Sequence, residues 1–295
     1  MAHERTLVIV NPTAGGGRCA ANWRRLAPLA RTLFPFEEEH TAARGGAVHL
    51  ARQAADAGMQ RVLSVGGDGT LHEVVNGIQD RPVAVGVLPL GTGNDFVRSI
   101  GLPRSPEVLL RGLARGGVRR IDVGQVHGER YVNIAGVGFD AEVARRVNAM
   151  RTKASGTVPY LLTAVDEAFR YQAPALSLAR DGAAPDPDCP FLMVAVGNTS
   201  TYGGGMRVCP QAVVDDGLLD VLVVRPLQGW ALLSLLARVF LGKHLGSPSV
   251  SSGYVRSLTI TGPRDTPLHA DGELLPGLPA TFTVHPRGLS LWSPG

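Results

Sequence analysis

Lysine is nearly absent from this sequence. Its 295 residues contain two lysines, Lys153 and Lys243, so arginine carries almost all of the positive charge. A phosphate-binding loop of the GxxxxGKS/T type needs a lysine after its last glycine, and the sequence therefore excludes that motif. Any phosphate held by a glycine-rich turn of this chain must be neutralised by an arginine or by a metal ion.

Aromatic residues are also scarce. They make up 5% of the chain and are not interleaved with basic residues in the pattern that stacks nucleic-acid bases. The formal net charge of +4 is a mild excess, which we attribute to overall composition rather than to an anionic partner. We therefore expect no nucleic-acid partner.

Cysteines and long apolar runs are few as well. Cys19, Cys189 and Cys209 are odd in number and lack the CxxC spacing of redox or zinc sites, which indicates a reducing compartment. The longest apolar stretch, residues 230–241, includes Arg238, whereas a bilayer span needs roughly 20 apolar residues. No apolar signal segment precedes the first predicted strand. We expect a cytoplasmic protein without a transmembrane segment.

The first part of the chain, up to residue 122, alternates short apolar runs with amphipathic helical segments. The strands predicted at residues 7–10, 61–65 and 83–88 lead into glycine-rich turns at 15–17, 66–69 and 91–93. Such alternation favours a parallel sheet with helices on both faces, which is a three-layer α/β domain. Because ligands collect at the carboxyl ends of parallel strands, we expect the three turns to lie together and bind a ligand.

Strands dominate the second part, residues 123–285. Seven strands are predicted there, and two helical regions, residues 141–168 and 229–241, interrupt them. This spacing favours an antiparallel, β-sandwich-like domain. The helical segment at 229–241 is amphipathic, and both a position at a membrane interface and a position against the core stay open.

The stretch Ser64–Gly77 reads SVGGDGTLHEVVNG. The amides of its glycines and the Thr70 hydroxyl can cradle phosphate at the mouth of a helix, although the same residues also suit an ordinary tight turn. The position between a β-rich run and a helix favours phosphate binding. Arg18, directly after the first glycine turn, can grip phosphate with its guanidinium, or it can be a solvated residue at a helix start.

Carboxylates follow these turns. Asp68 lies in the second turn, Asp95 follows the third, and Asp122 lies at the crossing into the second part of the chain. On the rim at the strand ends, these three carboxylates can hold Mg²⁺ directly or through water. Near the end of the chain, Asp271 and Glu273 flank Gly272 in a pattern that by itself favours a hairpin turn. A kinase also needs a carboxylate that accepts or orients a hydroxyl proton, and Asp271 can serve in that way.

Several motifs together resemble the bacterial lipid kinases of the diacylglycerol kinase catalytic-domain family, relatives of sphingosine and ceramide kinases. The most specific of them are GTGNDF within Leu88–Pro103 and VDDGLLD within Cys209–Val224. NPTAGGGR at Asn11–Arg18 and HADGE at His269–Glu273 also match, in the same order. GGDGT is shared with NAD kinases and is therefore less specific.

The resemblance implies a nucleotide-binding domain at residues 1–122, to which residues 286–295 can return, and a lipid-substrate domain at 123–285. It implies that ATP contacts Asn11, Pro12, Thr13, Ala14, Gly15, Thr41, Gly66, Gly67, Asp68, Gly69, Thr70, Leu71, His72, Glu73 and Thr92. It implies a water-mediated Mg²⁺ network on Asp68, Asp95 and Asp122, and a second metal site on Asp216 with the backbone oxygens of Val213 and Leu218. Asp271 would be the general base, supported by Glu273.

The resulting hypothesis is an ATP- and Mg²⁺-dependent lipid kinase, peripheral at the inner face of the membrane, that phosphorylates a lipid hydroxyl. We expect diacylglycerol as the acceptor and phosphatidic acid as the product. An NAD kinase-like enzyme and a non-catalytic nucleotide- or lipid-binding regulatory protein of the same fold are the alternatives. A homodimer through an exposed strand edge stays open.

Overall fold

The computed structural model describes residues 4–149 and 157–294, so Lys153 lies outside the described residues. The chain forms two compact units, here called unit 1 and unit 2. Unit 1 comprises Met1–Ile121 with Arg287–Gly295, and unit 2 comprises Asp122–Pro286.

Unit 1 alternates strands with helices. Its elements in chain order are β1 (Thr6–Val10), α1 (Cys19–Leu33), β2 (Glu37–His40), α2 (Gly46–Asp56), β3 (Arg61–Gly66), α3 (Asp68–Ile78), β4 (Ala84–Pro89), α4 (Asp95–Ser99) and α5 (Pro106–Arg115). The strands pair in parallel in the order β2-β1-β3-β4. Trp23 and Leu26 of α1 pack with Leu109 of α5 and with Val8 and Leu63 of the sheet to form the apolar core.

Unit 2 consists mainly of strands. The remaining elements are β5 (Gly117–Val126), β6 (Glu129–Tyr131), β7 (Ile134–Gly138), α6 (Phe139–Ala149), α7 (Thr157–Glu167), β8 (Ala175–Arg180), β9 (Cys189–Pro190), β10 (Met193–Gly197), β11 (Leu219–Val224), α8 (Gly229–Phe240), β12 (Val250–Val255), β13 (Ser257–Thr261), β14 (Leu268–Ala270), β15 (Glu273–Leu275) and β16 (Ala280–Ser293). Strand β5 begins in unit 1, and the end of β16 belongs to unit 1, where Ser290 and Leu291 pair in parallel with β4.

Two antiparallel groups of strands enclose the core of unit 2. One is the six-stranded sheet β12-β11-β10-β7-β14-β15, and the other contains β13 between β8 and the first half of β16. Val137 and Val194 from the first group pack with Leu258, Ile260 and Phe282 from the second. The expectation of an α/β unit followed by an antiparallel, sandwich-like unit is therefore confirmed.

Two local details differ from the sequence-based expectation. Helix α3 begins at Asp68 rather than at Leu71, because Gly67 adopts an extended conformation just before it and the Asp68 carboxylate lies near the positive end of the helix. Strand β12 was not predicted, since its residues 251–254 are exposed and give no alternating apolar pattern. In the described part of the chain no helix has the length and apolarity that a membrane crossing requires.

Candidate functional site

The first two glycine-rich turns of unit 1 meet at the carboxyl ends of β1 and β3. Asn11 follows β1, and its Nδ2 donates to Oγ1 of Thr70 over 3.0 Å. Its Oδ1 accepts the backbone N–H and the hydroxyl of Thr13 at 3.1 and 2.8 Å. A Cβ on Gly15 would lie 2.7 Å from the carbonyl oxygen of Leu90, so the first turn also touches the third. Glycine is required at residue 15, whose φ is +61°.

The second and third turns are packed equally closely. A Cβ on Gly91 would lie 2.4 Å from Cα of Gly67, which leaves room for hydrogen alone. The two carboxylate oxygens of Asp68 accept the backbone amides of Asp95 and Phe96, each at 3.1 Å. The three turns therefore form one connected rim beside the first turn of α3.

The carboxylates predicted to bind Mg²⁺ take part in this structure in different ways. Asp95 is 4% exposed, and its Oδ1 accepts Nη1 of Arg98 at 3.0 Å. Asp122 belongs to unit 2, is fully buried and accepts the amide of Gly217 at 2.7 Å. Across residues 4–149 and 157–294, no three His, Cys, Asp or Glu side chains are grouped so that they could hold a metal ion.

Glu73 connects α3 to the start of α2. Its two carboxylate oxygens accept the backbone amides of Gly45 and Ala47 at 2.8 and 2.9 Å. These amides lie at the N-terminus of α2, where backbone donors have no partner within the helix. Thr41, at the other end of the same loop, is buried and donates its amide to the Val10 carbonyl at 2.9 Å. Glu73 therefore has a structural role in fixing this loop.

The remaining predicted nucleotide contacts are distributed unevenly. Arg18 is exposed, and its Nε donates to the carbonyl of Gly15 at 2.9 Å. Thr92 is exposed, whereas Leu71 and His72 are buried in the α3 face that packs inward. The side chain of Leu71 lies in the core, so this residue can offer a ligand its backbone atoms alone. The other predicted contacts line the turns themselves: Pro12, Ala14, Gly66 and Gly69.

In unit 2, Asp271 lies at the tip of a tight hairpin. Strands β14 and β15 pair Ala270 with Glu273, so Asp271 and Gly272 form the two-residue turn. Both residues have positive φ, +50° and +86°, as the turn of a two-residue hairpin requires. The expectation of a hairpin at this sequence agrees with the structure, and the turn projects a carboxylate at its first position.

The Asp271 carboxylate is fixed by main-chain donors. Its Oδ1 accepts the amide of Asn133 at 2.8 Å, and its Oδ2 accepts the amide of Val132 at 2.9 Å. The Asp271 amide donates to the carbonyl of Ile134 at 3.0 Å. Because these partners are backbone groups, no residue type in the sequence signals them. The partly buried Glu273 follows directly at the start of β15.

The loop before β11 contains the predicted second metal site. Asp216 is exposed, and its Oδ1 accepts the amide of Leu218 at 3.0 Å. Val213, whose carbonyl is the third expected ligand, is also exposed. Burial, together with the smaller effect of the negative charge of Asp216, raises the pKa of the Asp220 carboxyl to about 7.

Comparison with known proteins identifies similarities along nearly the whole chain. The family model described as the diacylglycerol kinase catalytic domain matches residues 5–126. The model described as the YegS C-terminal NAD kinase beta sandwich-like domain matches residues 133–293. The two matches correspond to the α/β region and to the antiparallel region.

Individual relatives agree with these matches. A diacylglycerol kinase of Mycobacterium tuberculosis (strain ATCC 25618 / H37Rv) is 30% identical over 301 residues, covering 99% of this chain and 96% of that protein. A "Probable lipid kinase YegS-like" protein of Chromohalobacter salexigens is 39% identical over 188 residues, covering 61% of this chain and 59% of that protein. The crystal structure of a diacylglycerol kinase from Bacillus anthracis str. Sterne has the same fold, with a TM-score of 0.76 at 22% identity over 99% of this chain and 98% of that chain.

Proposed function

Because the chain belongs to the diacylglycerol kinase catalytic-domain family, we propose that it is a lipid kinase that transfers the γ-phosphate of ATP to a lipid hydroxyl. The observation that carries this proposal is the connected rim of three glycine-rich turns beside the start of α3. Backbone amides and a helix N-terminus at such a rim suit the phosphates of a nucleotide.

ATP binding in this proposal depends on close backbone approach. Gly69 has no atom within 4 Å of the position where a Cβ would lie, so its side of the turn is open, and Thr70 supplies a hydroxyl next to it. Asn11 orients that hydroxyl through its own amide. Arg18, which is exposed beside the first turn, supplies the positive charge that a lysine supplies in other phosphate loops.

We propose that Mg²⁺ is a water-mediated partner of this rim. Mg²⁺ in kinases keeps several waters and is held by one or two carboxylates together with the substrate phosphates. In this proposal Asp68, Asp95 and Asp122 hold the ion through water. When bound, the ion would neutralise charge on the transferring phosphoryl group.

Asp271 is the proposed general base. Its two oxygens are each held by a backbone amide, which fixes the direction in which their remaining lone pairs point. In that role it takes the proton from the lipid hydroxyl as the oxygen attacks the γ-phosphorus, while the bond from that phosphorus to the β–γ bridging oxygen breaks and ADP leaves. Glu273, two residues further on, supports Asp271 in the same proposal.

A structural metal ion is proposed at the loop before β11. Asp216 supplies a carboxylate, and Val213 and Leu218 supply backbone carbonyls. The exposure of the Asp216 carboxylate, which leaves it accessible to a cation, supports this proposal.

A membrane surface is the proposed location of the acceptor. Leu162 and Val165 are exposed on one side of α7, and the exposed Phe169 follows them. The Phe169 ring packs edge-on against Trp230, the second residue of α8, with centroids 6.0 Å apart. Trp230 is itself 80% exposed, so this apolar strip suits insertion into the headgroup region of a bilayer. Leu232 and Leu235, by contrast, direct the other face of α8 into the core.

The acceptor is proposed to be diacylglycerol, which gives phosphatidic acid. The relative from Mycobacterium tuberculosis has this activity in its name, whereas the relative from Chromohalobacter salexigens is named only as a lipid kinase. NAD⁺ is the alternative acceptor, because the matched C-terminal family is described as NAD kinase-like. A non-catalytic regulatory protein is the alternative from a different functional class.

Phosphoryl transfer from γ-labelled ATP tests the proposal. The assay contains Mg²⁺ and mixed micelles with diacylglycerol, monoacylglycerol, phosphatidylglycerol, a sphingoid base or a polyprenol, and a parallel assay contains NAD⁺. We expect transfer to diacylglycerol, loss of transfer with Asp271→Asn, and normal transfer with the control Asp265→Asn, which alters an exposed carboxylate. Transfer to NAD⁺ alone, or no transfer despite ATP binding, would contradict the proposal.

Vesicle flotation tests the membrane surface separately. Trp230→Ala should weaken binding to anionic phospholipid vesicles and leave turnover of a water-soluble short-chain diacylglycerol unchanged. Tyr254→Ala, which removes another exposed aromatic ring of unit 2, is the matched control. Equal vesicle binding by the two variants would exclude the Trp230 strip as the docking surface.

A further inference from the structure

A buried histidine lies two residues before Asp271. His269 is fully buried on β14, and its Nε2 lies 3.1 Å from Oδ2 of Asp140. Its Nδ1 lies 3.3 Å from the backbone nitrogen of Gly272, the second residue of the hairpin turn. The imidazole therefore bridges the turn that presents Asp271 and a buried carboxylate on α6.

The donors and acceptors assign the tautomer of this ring. The Gly272 amide can only donate, so Nδ1 of His269 must accept and cannot carry a proton. The proton is then on Nε2, which donates to the Asp140 carboxylate. His269 in this way connects Asp140 to the hairpin turn through one hydrogen bond at each ring nitrogen.

Asp140 and Tyr202 hold the ring in place. Oδ1 of Asp140 accepts the amide of Ala141 at 2.9 Å, while the Tyr202 hydroxyl donates to Oδ2 at 3.2 Å. The Tyr202 ring stacks on His269, with centroids 5.6 Å apart and an interplanar angle of 24°. The imidazole is therefore restrained at its edge by a hydrogen bond and on its face by an aromatic ring.

Gly136 provides the space for this arrangement. It is paired with His269 across β7 and β14. A Cβ at residue 136 would lie 1.9 Å from Oδ2 of Asp140 and 2.7 Å from Nε2 of His269. Every residue larger than glycine would push Asp140 and His269 apart. This explains why a glycine lies at residue 136, inside a buried strand.

We propose that His269 is a positioning residue for the Asp271 carboxylate, acting through the Nδ1 acceptor that holds the Gly272 amide. This inference rests on the proposed function, because Asp271 is the general base only in a kinase. Asp271 has positive φ, which is unfavourable for a residue with a side chain, and the bond from Gly272 to His269 helps to hold the turn in that conformation.

Three variants of His269 separate positioning from simple packing. His269→Ala removes both ring nitrogens, His269→Gln retains a donor near Nε2, and His269→Asn retains an acceptor near Nδ1. We expect kcat to fall about 30-fold for His269→Ala and for His269→Gln, because a small displacement of the Asp271 carboxylate slows the chemical step. The KM for ATP should stay within about twofold, since neither variant alters the glycine-rich turns. We expect Asn to recover kcat to within about fivefold of the unaltered chain. His49→Ala, on an exposed residue of α2, is the control.

Nuclear magnetic resonance gives a readout that needs no activity. In the ¹⁵N-labelled full chain, the His269 ring should show an unprotonated Nδ1 and a protonated Nε2, and the Gly272 amide resonance should shift with His269→Ala and less with His269→Asn. If no lipid is phosphorylated, the proposed function fails while these resonances still report the bridge. A protonated Nδ1, a Gly272 amide indifferent to His269→Ala, or unchanged kcat in a folded and otherwise active His269→Ala would overturn the inference.

Discussion

Asp68 and Asp95 belong to successive glycine-rich turns, and the carboxylate of Asp68 accepts the backbone amide of Asp95 at 3.1 Å. Its second oxygen accepts the next amide, that of Phe96. Because α4 begins at Asp95, Asp68 caps this short helix from a different turn. The carboxylate in the GGDGT motif thus holds two parts of the glycine-rich rim together.

The first prediction concerns this cap. Asp68→Asn replaces one acceptor oxygen by an NH₂ group that would face a backbone N–H. We expect the free energy of unfolding to fall by about 1–2 kcal/mol, the usual loss for a helix cap, and the affinity for ATP to fall with it. Urea denaturation and calorimetric titration with ATP measure the two effects.

Asp265→Asn is the control for that substitution, since Asp265 is exposed. It should change neither quantity. If Asp68→Asn kept the free energy of unfolding but needed more Mg²⁺ for phosphoryl transfer, the prediction would fail. The Asp68 carboxylate would then bind the metal ion and would not cap α4.

The second prediction concerns Glu73. Glu73→Gln leaves one acceptor for the two amides of Gly45 and Ala47, so one buried donor at the start of α2 loses its partner. We expect a loss of about 1–2 kcal/mol in the free energy of unfolding, measured by urea denaturation. Glu39→Gln, at an exposed residue of β2, should have no effect. Equal stability of the two variants would show that Glu73 does not anchor the loop.

Glu73 also illustrates what the sequence could not predict. The pattern of strands and glycine turns predicted the parallel sheet and the meeting of its turns, because short-range periodicity and strand direction determine both. The contact from Glu73 to Gly45 spans 28 residues and joins a side chain to a main-chain amide. Main-chain donors are the same at every residue, so no residue type at position 45 or 47 indicates this partner.

The surroundings of Asp271 show the same limit. Its place at a two-residue hairpin turn could be predicted from the Asp-Gly pair. Its amide partners at Val132 and Asn133 could not, since they are more than 100 residues away along the chain. Gly136 was the one available signal for the buried pair formed by Asp140 and His269, because a glycine inside an apolar strand often marks a close approach.

The third prediction concerns the three thiols. Cys189 is exposed, whereas Cys19 and Cys209 are buried. Burial raises the pKa of the Cys19 thiol to about 11, and burial together with Asp220 raises the pKa of Cys209 well above its ordinary value. Because the thiolate is the reactive form, iodoacetamide at pH 8 should modify Cys189 alone in the folded chain. Peptide mass spectrometry identifies the sites, and all three should react in urea. Rapid modification of Cys19 or Cys209 before unfolding would refute the prediction.

The fourth prediction concerns acid stability and His244. This residue is fully buried, its Nε2 donates to the carbonyl of Val208 at 2.9 Å, and its Nδ1 has no hydrogen-bond partner within residues 4–149 and 157–294. Protonation would place a charge and an unpaired N–H in the interior. Burial accordingly lowers the pKa of His244 below the ordinary 6.5, although the bond to Val208 opposes this.

The lowered pKa determines the sign of the pH effect. Well above pH 6.5 neither the folded nor the unfolded chain binds a proton at this ring, and His244 does not affect the pH dependence of the free energy of unfolding. Below pH 6.5 the unfolded chain binds the proton first, so the stability of the folded chain falls as the pH falls, by at most about 1.4 kcal/mol per pH unit.

His244→Gln keeps the donor to Val208 and does not titrate, and it should therefore lose less stability than the unaltered chain between pH 7.5 and 5.5. His49→Gln, an exposed control, should keep the original slope. Urea denaturation across this range measures all three slopes, and an unchanged slope for His244→Gln would mean that folding does not shift the pKa of this ring, which would contradict the prediction.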